Sequence, residues 1–212
     1  MTFEQQIQIL QEKIASGKLP GKEAQIKMVS DAFKDRYFDI KPNAHTREGA
    51  VLILLYPQQQ NLHLPLIVRP HTEKGVHSGQ VAFPGGKKEK TDPDFVYTAL
   101  REAQEEVNLD ISKVRVLGQL SPLFVFASNF MVYPTLAVMH EKPFLRPNPQ
   151  EVADIFSTNL TTLQRPETIK RTIIQTPQYT FETPYFDIEG KIVWGATAMM
   201  LSELIELAEI SS

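Results

Sequence analysis

Chemistry-bearing residues concentrate between positions 85 and 109 of this chain. Three carboxylates, Glu102, Glu105 and Glu106, recur at i, i+3 and i+4, the spacing that lines side chains along one arc of an α-helix. Like charges at that spacing repel by roughly 0.2–0.5 kcal/mol per pair, so the cluster costs helix stability unless a cation offsets it. Arg101, four residues before Glu105, supplies one positive charge. A divalent hard cation held through carboxylate oxygens would supply the rest. A solvated acidic helix face carries the same residues, and on the helix alone both readings stay open.

A glycine turn precedes the carboxylates. Four of the ten glycines, Gly75, Gly79, Gly85 and Gly86, crowd into residues 75–86. After Phe83-Pro84, the Gly85-Gly86 pair lets the backbone turn sharply and leaves amides or carbonyls accessible to a ligand or metal; the plainer use is to end a strand.

These residues need elements to position them. The spacing predicts a helix over 94–108, with Pro93 near its first turn and Ala99, Leu100, Ala103 and Val107 on a neighbouring arc that packs on a sheet. Strands are expected at 50–56 and 63–69, joined by a turn at 57–61, with a short extended piece at 80–83. Further strands are expected at 113–120, 131–139, 172–175 and 180–188, and helices at 159–163 and 194–207. At the N-terminus, Thr2 and Gln5 have capping-box spacing before the stripe Phe3, Ile7, Leu10, Ile14. Pro20-Gly21 then breaks the helix, and 22–47 is polar and irregular apart from a short helical stretch at 24–33. The expected fold is α+β, an α/β/α sandwich around a mixed sheet. Residues 1–47 are expected to form a helical extension packed on a main domain of residues 48–212.

Composition narrows the field. The chain has 212 residues, 42% of them hydrophobic and 22% charged, an ordinary globular balance. Its longest apolar run, 50–56, is far too short to cross a bilayer. Residues 1–13 lack the basic-then-apolar order of a secretory signal, so a cytoplasmic location is expected. No cysteine is present, which excludes a disulfide scaffold, a thiolate metal site and a Cys nucleophile. A net charge of −3 gives no general pull on nucleic acid or anionic membrane, so neither is expected as a partner; a homodimer is left open.

Taken together, Gly86-Lys-Lys-Glu89 and Arg101-Glu-Ala-Gln-Glu-Glu106-Val-Asn-Leu109 resemble the Nudix box, G-x5-E-x7-R-E-U-x-E-E-x-G-U with U a bulky apolar residue. Asn108 stands at the second glycine, and Asn tolerates the left-handed helix-ending conformation. The Gly86–Arg101 loop is one residue longer than the pattern, and its acidic position falls to Glu89 or Asp92, with Asp92 closer by spacing. Upstream, Leu66-Ile-Val-Arg69 and His77-Ser-Gly-Gln80-Val-Ala-Phe-Pro-Gly-Gly86 are similar to the L-L-x-x-R…H-x-G-Q-V-A-F-P-G-G stretch of the coenzyme A pyrophosphatase subgroup. Residues 192–198 are similar to its C-terminal I-W-G-x-T-A. Residues 70–76 fit the subgroup's spacer poorly.

The resemblance implies metal-dependent cleavage of the diphosphate of coenzyme A or acyl-CoA, giving 3′,5′-ADP and 4′-phosphopantetheine or its acyl form. ADP-ribose or another nucleoside diphosphate derivative is the alternative substrate, and a non-catalytic nucleotide-binding module is the reading from another class. Mg²⁺ or Mn²⁺ is indicated because every plausible ligand is an oxygen. By resemblance, Glu105 and Glu106 hold the metal, with Glu102 a further ligand or the base and a Gly85 or Gly86 carbonyl completing the shell. Arg101 orients a carboxylate by salt bridge. Glu151 is a candidate base brought from a distant loop, or a plain helix-start residue. Arg69, His77, Gln80 and Gly85 are the candidate substrate contacts: Arg69 for a phosphate or a surface ion pair, His77 for substrate or loop backbone, Gln80 for substrate or to pin the glycine loop. Trp194 reads as core rather than as a platform for adenine.

Overall fold

Thr2 caps the first helix. Its hydroxyl accepts from the Gln5 amide while the Gln5 side chain accepts from the Thr2 amide, and α1 runs Phe3–Ala15 with Ile7 and Leu10 buried. The computed structural model describes residues 2–70, 79–176 and 179–209. After α1 come α2 (Gly21–Gln25), a 3-10 turn at Ile26–Met28, and β1 (Arg47–Gln58) and β2 (Asn61–Val68). Next are β3 (Val81–Ala82), β4 (Gly85–Lys87), α3 (Phe95–Val107), β5 (Arg115–Gln119), β6 (Leu123–Val125) and β7 (Phe130–Val138). Then follow β8 (Asp154–Asn159), α4 (Leu160–Leu163), β9 (Ile169–Gln175), β10 (Thr180–Ile188), β11 (Lys191–Val193) and α5 (Gly195–Ala208).

The main sheet runs β3-β2-β1-β7-β5, with β4 added to β1, β6 to β7 and β8 to β2. It is mixed, because β1 and β7 pair in parallel, Arg47 opposite Phe130 through Leu55 opposite Val138, while their other pairings are antiparallel. A separate antiparallel sheet has the order β11-β10-β9.

Residue alternation along β1 divides the core into two. Ala50, Leu52, Leu54 and Tyr56 face α3 and meet Ala99, Ala103 and Val107. Ile53 and Leu55 face the opposite side, in the cluster built from Ile7, Leu10, Met28 and the apolar residues of α5. Both sheet faces are therefore covered by helix, and β1 reads as a nearly continuous apolar run.

Two expectations need correction. Pro57 was expected in the turn at 57–61, but it belongs to β1 opposite Leu62, and the turn is the pair Gln59-Gln60. Both have positive φ, 50° and 64°, as a two-residue primed turn requires to match strand twist; Gln-Gln lacks the Asn-Gly or Asp-Gly pattern that would announce it. Residues 154–159, outside the strands that the pattern predicts, form β8 along β2 from Asp154 opposite Val68 to Asn159 opposite His63.

Candidate active site

The carboxylate helix is defined at both ends by its own residues. Asp94 caps it by accepting from the Tyr97 amide at 2.7 Å, and Asn108 ends it in the left-handed conformation with φ 53°. Ala99 and Ala103 are fully buried and Val107 is 1% exposed; the small alanines let the helix axis approach β1 and β7 closely.

Two adjacent glycines seat two of the carboxylates. The Gly85 amide donates to Glu106 Oε2 at 2.9 Å. A Cβ on Gly86 would lie 2.4 Å from Glu102 Oε2, so the Glu102 carboxylate rests against backbone that only glycine leaves open. The seat is itself built on a third glycine. Gly49 of β1 pairs opposite Lys87, and a Cβ there would fall 2.0 Å from the Gly86 carbonyl oxygen, which therefore faces β1. Gly85 has φ 155° and also packs closely, with the Ala50 carbonyl oxygen 2.3 Å from a hypothetical Cβ.

Burial sets the electrostatics. Glu106 is 3% exposed, and desolvation pushes its pKa up to about 7, opposed by the Gly85 amide and the charge of Arg69 and assisted by the charges of Glu102 and Glu151. Burial also raises Glu102, against the pull of Arg101. Arg101 gathers the acidic side chains around it. It meets Asp92 through Nε at 3.1 Å and Nη2 at 3.0 Å, Glu102 at 2.8 Å and Glu105 at 2.9 Å, and donates to the Lys87 carbonyl at 3.2 Å. The Asp92 side chain is fully buried. It also accepts from Thr98 Oγ1 and the Glu89 amide, and the Arg101 hydrogen bonds hold its pKa down to about 2. Of the two residues that compete for the acidic position of the box, Asp92 is buried on Arg101, and Glu89 is exposed.

The remaining site residues lie around this core. Arg69 follows β2 with its amide bonded to the Gln80 carbonyl at 3.0 Å, and its charge is felt at Glu106. Glu151 is exposed and accepts from Asn148 Nδ2 at 3.1 Å. Its loop is tied to the end of α3, with the Asn148 amide on the Glu106 carbonyl at 2.8 Å and the Arg146 amide on the Val107 carbonyl at 2.9 Å. This docking brings the Glu151 charge within reach of Glu102 and Glu106. His77 lies outside the described residues.

Glu102, Glu105, Glu106, Asp92 and Glu151 stand against the guanidinium groups of Arg101 and Arg69, an excess of negative charge at a partly buried site. Among the described residues no three acidic or imidazole side chains converge as ligands; Arg101 engages both Glu102 and Glu105. The donor set nevertheless suits Mg²⁺ or Mn²⁺: it is all oxygen, and Glu106, buried with its pKa near 7, needs a cation to ionise fully at neutral pH. Glu105 and Glu106 would hold such an ion, with Glu102 beside them.

Gly49, Thr98 and Asn148 also support the site, and no local pattern marks them. The first is a lone glycine before a strand and the others are ordinary polar residues; their roles come from non-local approach.

A strand–glycine-turn–helix unit carries clustered carboxylates over a mixed sheet that helices cover on both faces. The NUDIX domain family matches residues 46–175, and the chain belongs to the Nudix hydrolases. It is 34% identical over 167 residues to an uncharacterized Nudix hydrolase NudL of Pectobacterium atrosepticum, covering 78% of this chain and 84% of that protein. It is 35% identical over 136 residues to the mitochondrial coenzyme A diphosphatase NUDT8 of mouse, covering 63% and 64%. The fold matches a Nudix hydrolase from M. smegmatis, RenU, with a TM-score of 0.54 at 14% identity, over 76% of this chain and 85% of that one. No helix among the described residues is long and apolar enough to cross a membrane.

Proposed function

We propose that this Nudix hydrolase cleaves the diphosphate bond of coenzyme A or acyl-CoA, with Mg²⁺ or Mn²⁺, to give 3′,5′-ADP and 4′-phosphopantetheine or its acyl form. One observation carries the reading. The motif that resembles the coenzyme A subgroup ends in Gly85-Gly86, the two glycines on which Glu106 and Glu102 rest. The mouse relative named as a coenzyme A diphosphatase supports the same substrate.

In the reaction, the oxygen of water bonds to one phosphorus, the bridging P–O bond breaks, and the departing phosphate takes the electron pair. A bound divalent ion neutralises phosphoryl oxygens and acidifies water. Glu105 and Glu106 would hold that ion, and the Gly85 amide fixes the Glu106 rotamer. Arg101, anchored on Asp92, fixes the directions of Glu102 and Glu105. Arg69 orients a phosphate through its planar fork. Glu151 takes the proton of the attacking water, because no guanidinium engages its carboxylate among the described residues while Glu102 is bonded to Arg101. The carboxylates, all present, favour catalysis over a non-catalytic binding module.

The test is purified protein with Mg²⁺ or Mn²⁺ and a panel of CoA, acyl-CoA, ADP-ribose and NADH, with products identified by mass spectrometry. Release of 3′,5′-ADP from CoA is expected; turnover of ADP-ribose with CoA untouched would refute the substrate assignment.

A further inference from the structure

A run of aromatic rings crosses from the N-terminal segment to the start of α5. Trp194 meets Phe181 at 6.2 Å between ring centroids, Phe181 meets Phe33 at 5.1 Å, and Phe33 meets Phe126 at 6.0 Å. All four are half-buried, although Trp194 was expected in the core. Their planes cross at 60°, 76° and 65°, so no two are stacked face to face. Arg36 lies over Phe33 with its guanidinium carbon 5.5 Å from the ring centroid. It is exposed and has no carboxylate within ion-pair distance among the described residues.

Residues next to each end of the wall contact the strands beside the glycine turn. At one end, Trp194 is the N-cap residue of α5, and Thr197 in the first turn of that helix donates to the Val81 carbonyl of β3 at 3.0 Å, just ahead of Phe83-Pro84-Gly85. At the other end, the turn carrying Phe126 leads into Phe130, whose ring edge comes within 2.8 Å of a hypothetical Cβ on Gly49. Gly49 is the residue that admits the Gly86 backbone.

We propose that Phe181 and Trp194, with Arg36 held over Phe33 beside them, take the 3′-phosphoadenosine end of the substrate, the base against the Phe181 and Trp194 rings and the 3′-phosphate on the Arg36 guanidinium. The inference rests on the coenzyme A reading and specifies which half of the molecule lies there. Aromatic faces and a guanidinium complement a flat base and a phosphate. A pantetheine arm, a chain of amides, calls for hydrogen-bond partners along its length, which these rings do not supply. Recognition of the 3′-phosphate would separate CoA from ADP-ribose and other substrates that lack it.

The chain has a single tryptophan, so Trp194 alone reports on the wall by fluorescence. Titration with 3′,5′-ADP is expected to change its emission, whereas 4′-phosphopantetheine at equal concentration leaves it unchanged. Arg36→Gln, at an exposed position, is expected to weaken the 3′,5′-ADP response about tenfold. It should also lower kcat/KM about tenfold more for CoA than for 3′-dephospho-CoA. A response to 4′-phosphopantetheine in place of 3′,5′-ADP, or an Arg36→Gln variant that affects both substrates equally, would overturn the subsite while CoA turnover stood. Absence of CoA turnover with the 3′,5′-ADP response intact would instead strike the activity reading and leave the nucleotide subsite.

Discussion

The carboxylate of Glu102 rests on the α-carbon of Gly86, where a Cβ would stand 2.4 Å from Oε2. This contact joins the glycine turn to the carboxylate helix. Gly86→Ala must therefore push Glu102 off its seat and, through Arg101, disturb Glu105. Displacement of a catalytic group by about 1 Å can cost on the order of 100-fold in rate, and a loss of that size in kcat is expected. Circular dichroism and thermal unfolding should remain near the parent, which separates misplacement from misfolding.

Asp92 anchors Arg101 from beneath. Its pKa is held down to about 2 by the Arg101 hydrogen bonds, below the unfolded value near 4. The folded state thus binds fewer protons than the unfolded state between these values, so the pairing contributes fully above pH 4 and is lost as pH falls toward 2. Asp92→Asn should destabilise by roughly 2 kcal/mol at pH 7, with the gap from the parent closing at pH 2–3. Denaturant unfolding at both pH values measures it.

Glu106 behaves in the opposite sense. Burial raises its pKa to about 7, so without metal the folded state holds a proton that the unfolded state has released above about pH 4.5. Stability contributed by this group is present at low pH and lost as pH rises through 7. A divalent ion competes with that proton, so added Mg²⁺ should raise Tm more at pH 8 than at pH 5.5, and chelation should reverse the gain. Glu106→Gln should flatten the difference. A Mg²⁺ effect on Tm independent of pH would count against Glu106 as a ligand.

Glu203, fully buried in α5, ties the N-terminal segment to the sheet. It accepts from Gln25 Nε2 at 2.9 Å, the Ser121 amide at 3.0 Å and the Gly21 amide at 3.3 Å. Glu203→Ala leaves these donors unpaired and opens a void; a loss of about 3 kcal/mol is expected, measurable as a lower denaturant midpoint.

Legibility in the sequence followed locality. The extent of β10, the cap of α1 and the left-handed end of α3 at Asn108 rest on neighbours a few residues apart, and the structure has them where the pattern indicated. What stayed hidden depends on distant partners. β8 gains its place by pairing with β2, and its burial lacks clean alternation. Glu203 is one acidic residue in an apolar helix until Ser121 and Gln25 are brought to it. The carboxylates of the candidate site were visible from their spacing; their seating on Gly85 and Gly86, and the reliance of Gly86 on Gly49, required the register of β4 against β1.

The proposed activity puts the α3 carboxylates at the cleavage of coenzyme A. Its most direct test is the rate of CoA cleavage with saturating Mg²⁺, read as 3′,5′-ADP by mass spectrometry, for the parent and for Glu105→Gln. Glu105 is largely solvent-exposed, with its side chain 53% accessible, so the substitution should leave the fold intact. 3′,5′-ADP is expected from the parent, with a loss of at least about 100-fold in the variant; a folded variant working at near-native rate would remove the α3 carboxylates from the reaction.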